Sequence, residues 1–307
     1  MTPSIKLFPL SVPTSFRRAA ARLTLDLLSE TDGSVVQFLR ELGVTEMNAE
    51  QVATDCLPQD SSVDFIAEIL RANLENVLRG LPIFPVQGKE RLALEECLLW
   101  DAESKFDFLK RRLSDEAKVF QDQAGKLREL GCRVQLDGRD AKEIALVVAE
   151  SKSHRLSENL KARLAVLDQL CSADLGRIPW LLAKDFQDSE SFFAPEEVWH
   201  SSVRRLVGRV RPVVDGPMNT LRLLGVRTEG DVDDPVLREQ LEALQAARDV
   251  LAMDCQPIYE RLHQAPAGKW IWTEHGFDMP ERVSKDPRAH SLQPIMHTLQ
   301  KDGGKCL

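Results

Sequence analysis

A chain of 307 residues with 43% hydrophobic and 29% charged positions has the balance of a globular protein, which sets aside the disordered and membrane-spanning classes. Its 48 acids against 40 Lys and Arg leave a net charge of −8, so a phosphate-tracking surface is a poor expectation and nucleic acid is not an expected partner. Six cysteines, at 56, 97, 132, 171, 255 and 306, form no close pair of the kind that makes a metal knuckle or a redox dithiol, so buried or free thiols are expected. No basic-then-apolar leader is present and nothing approaches the roughly 20 apolar residues of a spanning helix, which predicts a cytoplasmic protein. Cys306 stands one residue from the end rather than four, so no prenyl anchor is expected.

The first landmark is LRELGV at 39–44, and nearly the same phrase returns as LRELGC at 127–132 and LRLLGV at 221–226. Two leucines around an Arg, then a Gly, describe the last turn of an amphipathic helix whose next residue takes a left-handed conformation. Gly43, Gly131 and Gly225 are spaced 88 and 94 residues apart, a domain-sized period. After the first stop, SSVDFIAEILRANLENVLRG (61–80) spaces Ile66, Leu70, Leu74 and Leu78 four apart, opens on serines and closes on Gly80, which predicts one helix. LPIFPVQGKERLALEE (81–96) reads as a short hairpin turning at QGKE, with Pro82 at a strand start or edge.

Leu160, Leu164, Leu167 and Leu170 mark a helical face after Ser157, and IPWLLAKDFQDSESFFAPEE (178–197) is a second hairpin, begun by Pro179. Asp234 and Pro235 read as N-cap and first residue of a helix through Leu237, Leu241, Leu244 and Leu251. Arg248 interrupts that stripe where a coiled coil would want Leu, so the helix is expected to pack on its own domain. GKWIWTEHGFDMPER (268–282) supplies a third hairpin turning at TEHG. Pro195-Glu196-Glu197 and Pro280-Glu281, after the second and third hairpins, read as helix first turns with acids favoured by the dipole.

Helix, Gly stop, helical stretch, hairpin and short helix thus recur in one order. The expected fold class is α+β, predominantly helical, with tandem helical units that each carry a small β-hairpin and stack into an elongated array. The units are 1–101, 102–200 and 201–302, with a tail at 303–307. The start of the first is left open, because MTPSIKLFPLSV also reads as the end of a preceding hairpin.

KWIWTEHGFDMPERV with the following HSLQPIMHTLQKD resembles a segment that recurs in the sacsin family, where a WIW strand, a Gly-Phe turn, a Pro-Glu helix start and a Leu-x-Pro stretch succeed one another. LVGRVRPVVDGPMNTLRLLGVRTEGDVDDPVLREQLEAL (206–244) is similar to the part of the sacsin repeat just before it. The resemblance covers 178–302 and, more loosely, LPIFPV and the two earlier Leu-Gly phrases. Sacsin proteins are large cytosolic chaperone-associated scaffolds in which an ATPase-like GHKL module precedes helical segments, beside ubiquitin-like, J-type and nucleotide-binding domains. This chain resembles a downstream segment alone: Asp137-Gly138 and Asp215-Gly216 lack the helix Asn and Gly-rich lid of a GHKL site, and no J-type His-Pro-Asp occurs. What the resemblance implies is a non-enzymatic scaffold, associated with chaperones or co-chaperones and with protein folding, and without a cofactor. Its partners would be chaperones or their clients, cytoskeletal proteins among them, and other segments of a larger parent chain.

Residues that carry chemistry are sparse. Of the histidines, His290 and His297 are seven apart, but the intervening Pro294 argues against a shared helix face, so no metal is expected. No G-x-S-x-G elbow marks a nucleophile, and the pairs Glu95-Glu96 and Glu196-Glu197 are adjacent on helix starts and do not face each other. Arg204, Arg205, Arg209 and Arg211 form the strongest basic cluster, in a helix-like stretch ending at Pro212, suited to an acidic partner or to ion pairs on a solvated face. Trp100, Trp180, Trp199, Trp270 and Trp272 all fall in or beside the hairpins, as core plugs or as a partner-binding surface. The candidate partner-binding residues are Trp270, Trp272, Phe277, Arg204, Arg205 and Arg209. The competing readings are an enzyme whose site assembles between units, and weak nucleic-acid binding through the 204–211 cluster.

Overall fold

In a computed structural model of the chain, the described residues are 6–7, 27–28, 33–42, 45–46, 48–58, 61–100, 104–247, 250, 252–263, 271–273 and 276–278. The fold is mixed α+β and rich in helix, with small sheets. The chain divides into two compact units, Met1–Asp140 and Ala141–Leu307, with the division inside the second of the three segments expected from the sequence.

In the first unit, β1 (Lys6–Leu7) lies between β2 (Leu27–Leu28) and β3 (Thr45–Glu46), with parallel pairing throughout. After α1 (Gly33–Glu41), α2 (Ala49–Cys56) opens on a reciprocal cap: Asn48 Oδ1 accepts the Gln51 N–H at 2.8 Å and Gln51 Oε1 accepts the Asn48 N–H at 3.0 Å. The single helix expected over 61–80 is two pieces. Ser62 does cap α3 (Val63–Arg71), accepting the Phe65 N–H, but Asn73 turns left-handed at φ 58° and a separate 3-10 turn, Glu75–Leu78, comes next. Lys126 Nζ fixes the break by donating to the Leu70 carbonyl and to Asn73 Oδ1, each at 2.6 Å. The fourfold spacing survives because Ile66, Leu70 and Leu78 are all buried across it. The hairpin of β4 (Phe84–Pro85) and β5 (Arg91–Leu92) is succeeded by α4 (Ala124–Glu129), which stops at Gly131 with φ +103°. Helix α5 spans Gly138–Ser151.

In the second unit, α6 (His154–Val166) is capped by Ser153, and α7 (Ala173–Gly176) leads into a four-stranded sheet of order β7-β6-β9-β8. Its strands are β6 (Leu181–Lys184), β7 (Glu190–Phe193), β8 (Trp199–His200) and β9 (Val213–Val214), with α8 (Arg204–Val207) between the last two. Pro195-Glu196-Glu197 makes one 3-10 turn and no longer helix, because β8 begins two residues on. Next, α9 (Met218–Leu223) stops at Gly225, φ +92°, and α10 (Asp234–Ala246) and α11 (Ala252–Tyr259) follow. The cap of α10 is Asp233, one residue before the expected one, with its Oδ1 accepting the Val236 N–H at 3.1 Å. Leu237, Leu241 and Leu244 are buried as expected, whereas Leu251 and Arg248 lie outside the described residues. Trp199, Leu206, Val207, Leu237, Leu241 and Cys255 belong to one core. The third hairpin is β10 (Ile271–Thr273) against β11 (Gly276–Asp278), antiparallel.

The first and second hairpins, each with the segment on its C-terminal side, carry one hydrogen-bond pattern. Leu99 N–H donates to Arg133 O and Arg133 N–H to Cys97 O, both at 2.9 Å; His200 N–H donates to Arg227 O at 2.8 Å and Arg227 N–H to Val198 O at 2.9 Å. Leu98 N–H reaches Arg111 O at 2.9 Å as Trp199 N–H reaches Pro212 O at 3.0 Å, and Cys132 N–H reaches Leu127 O at 2.8 Å as Val226 N–H reaches Leu221 O at 3.0 Å. Phe84 pairs with Leu92 as Leu181 pairs with Phe193. A Cβ on Gly131 would stand 3.3 Å from Glu95 Cγ, and one on Gly225 would stand 3.0 Å from Glu196 Cγ. The Leu-Gly phrase and the paired acids are therefore one feature: the first acid of each pair lies against the glycine that ends a later helix. Gly43 lies outside the described residues.

Candidate functional site

Among the residues singled out by sequence, Arg204, Arg205 and Arg209 come together. They line an open groove of about 680 Å³ with Ser202, Phe186 and Leu244. Burial sets the arrangement: α8 turns Leu206 and Val207 into the core and leaves Arg204 and Arg205 exposed. Gly208 closes that turn, its N–H donating to Arg204 O at 2.7 Å, and a Cβ there would stand 2.5 Å from the same oxygen. Only a residue without a side chain permits so close an approach. The buried Gln240 then fixes Arg209, its Oε1 accepting the Arg209 N–H at 2.9 Å. Arg211 is drawn off elsewhere, forming a two-pronged pair with Glu239 at 2.8 and 2.5 Å.

The β6–β7 turn brings up another wall. Asp185 Oδ1 accepts the N–H groups of Gln187 at 2.8 Å and Ser189 at 2.9 Å, an arrangement that lets an Asp side chain hold a turn. Phe186, 52% exposed, is thereby presented on the groove. Asp188, left-handed at φ 59°, accepts a hydrogen bond from Arg204 Nη2 at 2.6 Å. That bond and the guanidinium charge hold the Asp188 carboxyl below the usual carboxylate range. Arg205 has no ion-pair partner among the described residues. Among the described lining residues Asp254 is the one acid, against three arginines.

Beneath Ser202 lies His200, 9% exposed. Its Nε2 is 3.1 Å from the Gly216 carbonyl, which can only accept, so the proton sits on Nε2 and Nδ1 is the acceptor. Nδ1 stands 2.8 Å from Ser202 Oγ and also accepts the Ser202 N–H at 3.1 Å. Sequence reading passes over this pair, because its only trace is a His-x-Ser spacing beside a strand.

The tryptophans divide. Trp180 and Trp199 are fully buried core residues, and Trp180 Nε1 donates to Leu175 O at 3.1 Å. Trp272 stands opposite Phe277 in the third hairpin by backbone register, but their side chains, and all of Trp270, lie outside the described residues. Among the described residues no group of three or more His, Cys, Asp or Glu side chains converges, and no helix is long and apolar enough to cross a membrane. Scans against protein-family models, curated proteins and solved structures found no match to this chain.

Proposed function

We propose that this chain is a non-enzymatic, chaperone-associated scaffold segment of sacsin-like type, cytoplasmic, built from tandem units and acting by binding proteins. The observation that carries this reading is the recurrence of one hydrogen-bond pattern, from Cys97–Arg133 to Val198–Arg227. Repeated supersecondary units suit a chain whose work is to offer docking surface, since each copy adds surface without needing new chemistry. The purified chain is to be titrated into a fluorescently labelled unfolded client protein and followed by anisotropy, with hydrolysis of ester and phosphate-ester substrates measured alongside. Saturable client binding without turnover agrees with the reading; turnover without client binding contradicts it.

One observation favours a second reading. The Ser202 hydroxyl, the His200 ring and the Gly216 carbonyl form a chain that a serine hydrolase would use to accept the hydroxyl proton. The same ring nitrogen caps the turn at Ser202 N–H, which accounts for the geometry without catalysis. Loss of any turnover in a Ser202→Ala variant would decide for the enzyme.

A further inference from the structure

The geometry points to the groove beside α8 as a docking site for an acidic, leucine-containing segment of a partner protein, with Asp188 acting as a built-in competitor for the partner's carboxylates. The inference deepens the scaffold reading and rests on it. Charge complementarity supplies the first part. A chain of net charge −8 gathers Arg204, Arg205 and Arg209 on one groove, where Asp254 is the one acid among the described lining residues. Arg204 is matched by Asp188, as Arg211 is by Glu239 and Arg71 by Glu68. Arg205 keeps its charge at the groove without an acid against it among the described residues.

Apolar lining supplies the second part. Phe186 and Leu244 flank the same space, so a ligand that offered charge alone would leave them uncovered. Acidic residues interleaved with leucines satisfy both, whereas an RNA strand would meet two apolar side chains and an acid. Asp188 supplies the third part. Its carboxylate already occupies Arg204 at 2.6 Å, as a partner's carboxylate would, and both groups are solvent-accessible enough to exchange. Binding is then a swap of one carboxylate for another at Arg204, plus new pairing at Arg205.

The test uses the full chain and a short fluorescein-labelled peptide of alternating Glu and Leu, its Gln-for-Glu analogue, and a single-stranded RNA oligomer. The Glu peptide is expected to bind, with affinity lowered by about tenfold or more in Arg205→Glu and raised a few-fold in Asp188→Asn. Arg155→Glu, an equal charge change at an exposed arginine outside the groove, is expected to leave binding unchanged. Equal binding of the Gln analogue, equal loss in Arg155→Glu, or tighter RNA binding lost in Arg205→Glu would each overturn the proposal. If the Glu peptide fails to bind while the unfolded client still does, this proposal falls and the scaffold reading stands; if neither binds, both fall.

Discussion

Arg133 and Arg227 hold the same place in the two hydrogen-bond patterns, yet their side chains live in different surroundings. Arg133 Nη1 donates to Asp140 Oδ2 at 2.7 Å and lies 3.0 Å from Asp137 Oδ2, while Arg111 Nη2 reaches Asp137 at 2.8 Å and Asp140 at 3.1 Å. Asp140 is fully buried in this group of two arginines and two aspartates. Arg227 lies instead over the ring of Trp199, 5.6 Å from its centroid. The backbone pattern therefore does not depend on how this arginine is satisfied. What both copies share is the left-handed glycine, the acid against it and the strand pairings, and those are the parts that the repeated backbone requires.

The largest effect should come from Asp140. Asp140→Ala removes the buried acid that Arg111 and Arg133 share and leaves them Asp137 alone, which should cost about 3 kcal/mol in urea unfolding. In the second unit, Asp233→Ala removes a helix cap and should cost about 1 kcal/mol. Next come the glycines. Gly131→Ala and Gly225→Ala each force a side chain into the left-handed region, at about 1–2 kcal/mol, and similar losses would bear out the equivalence of the two stops. Trp180→Phe and Trp199→Phe both leave a void, but among the described residues only the first removes a made hydrogen bond, to Leu175 O; Trp199 Nε1 is buried with no partner among them. Trp180→Phe should be the costlier by about 1 kcal/mol.

The smallest effect is acid dependence. Burial pushes the Asp137 carboxyl up, but the hydrogen bond from the Asp140 N–H and the charges of Arg133 and Arg111 outweigh it and leave the pKa below the usual carboxylate value. A carboxylate depressed in the folded state stabilises above its unfolded pKa, and that contribution disappears as pH falls through the folded one. Stability measured from neutral pH downward should therefore fall below about pH 4, and the fall should shrink in Asp137→Asn.

Much of the recurring hydrogen-bond pattern is legible in sequence because the features that define it are backbone requirements. A left-handed glycine after Leu-Arg-x-Leu has few substitutes, and the hairpins announce themselves by apolar runs around polar turns. The break in the helix over 61–80 is not legible, because Ile66, Leu70 and Leu78 keep helical spacing while Asn73 turns the backbone, and periodicity sees only the side chains. At the candidate site the arginines are visible as a cluster. Their selection is not: Arg211 leaves for Glu239 and Arg204 meets Asp188 through a hairpin turn, both tertiary contacts over 28 and 16 residues. The His200–Ser202 contact is likewise hidden, since one of its three members is a backbone carbonyl at Gly216.

The most direct test is a two-dimensional NMR titration of the isotopically labelled full chain with an unfolded client, read at the backbone amides of Arg204–Val207, Gly208 and Arg209. A docking groove beside α8 predicts saturable shifts concentrated there and at Phe186–Asp188, with the amides of Arg133 and Asp140 unmoved. Client binding that shifts other amides and leaves the groove silent would contradict it.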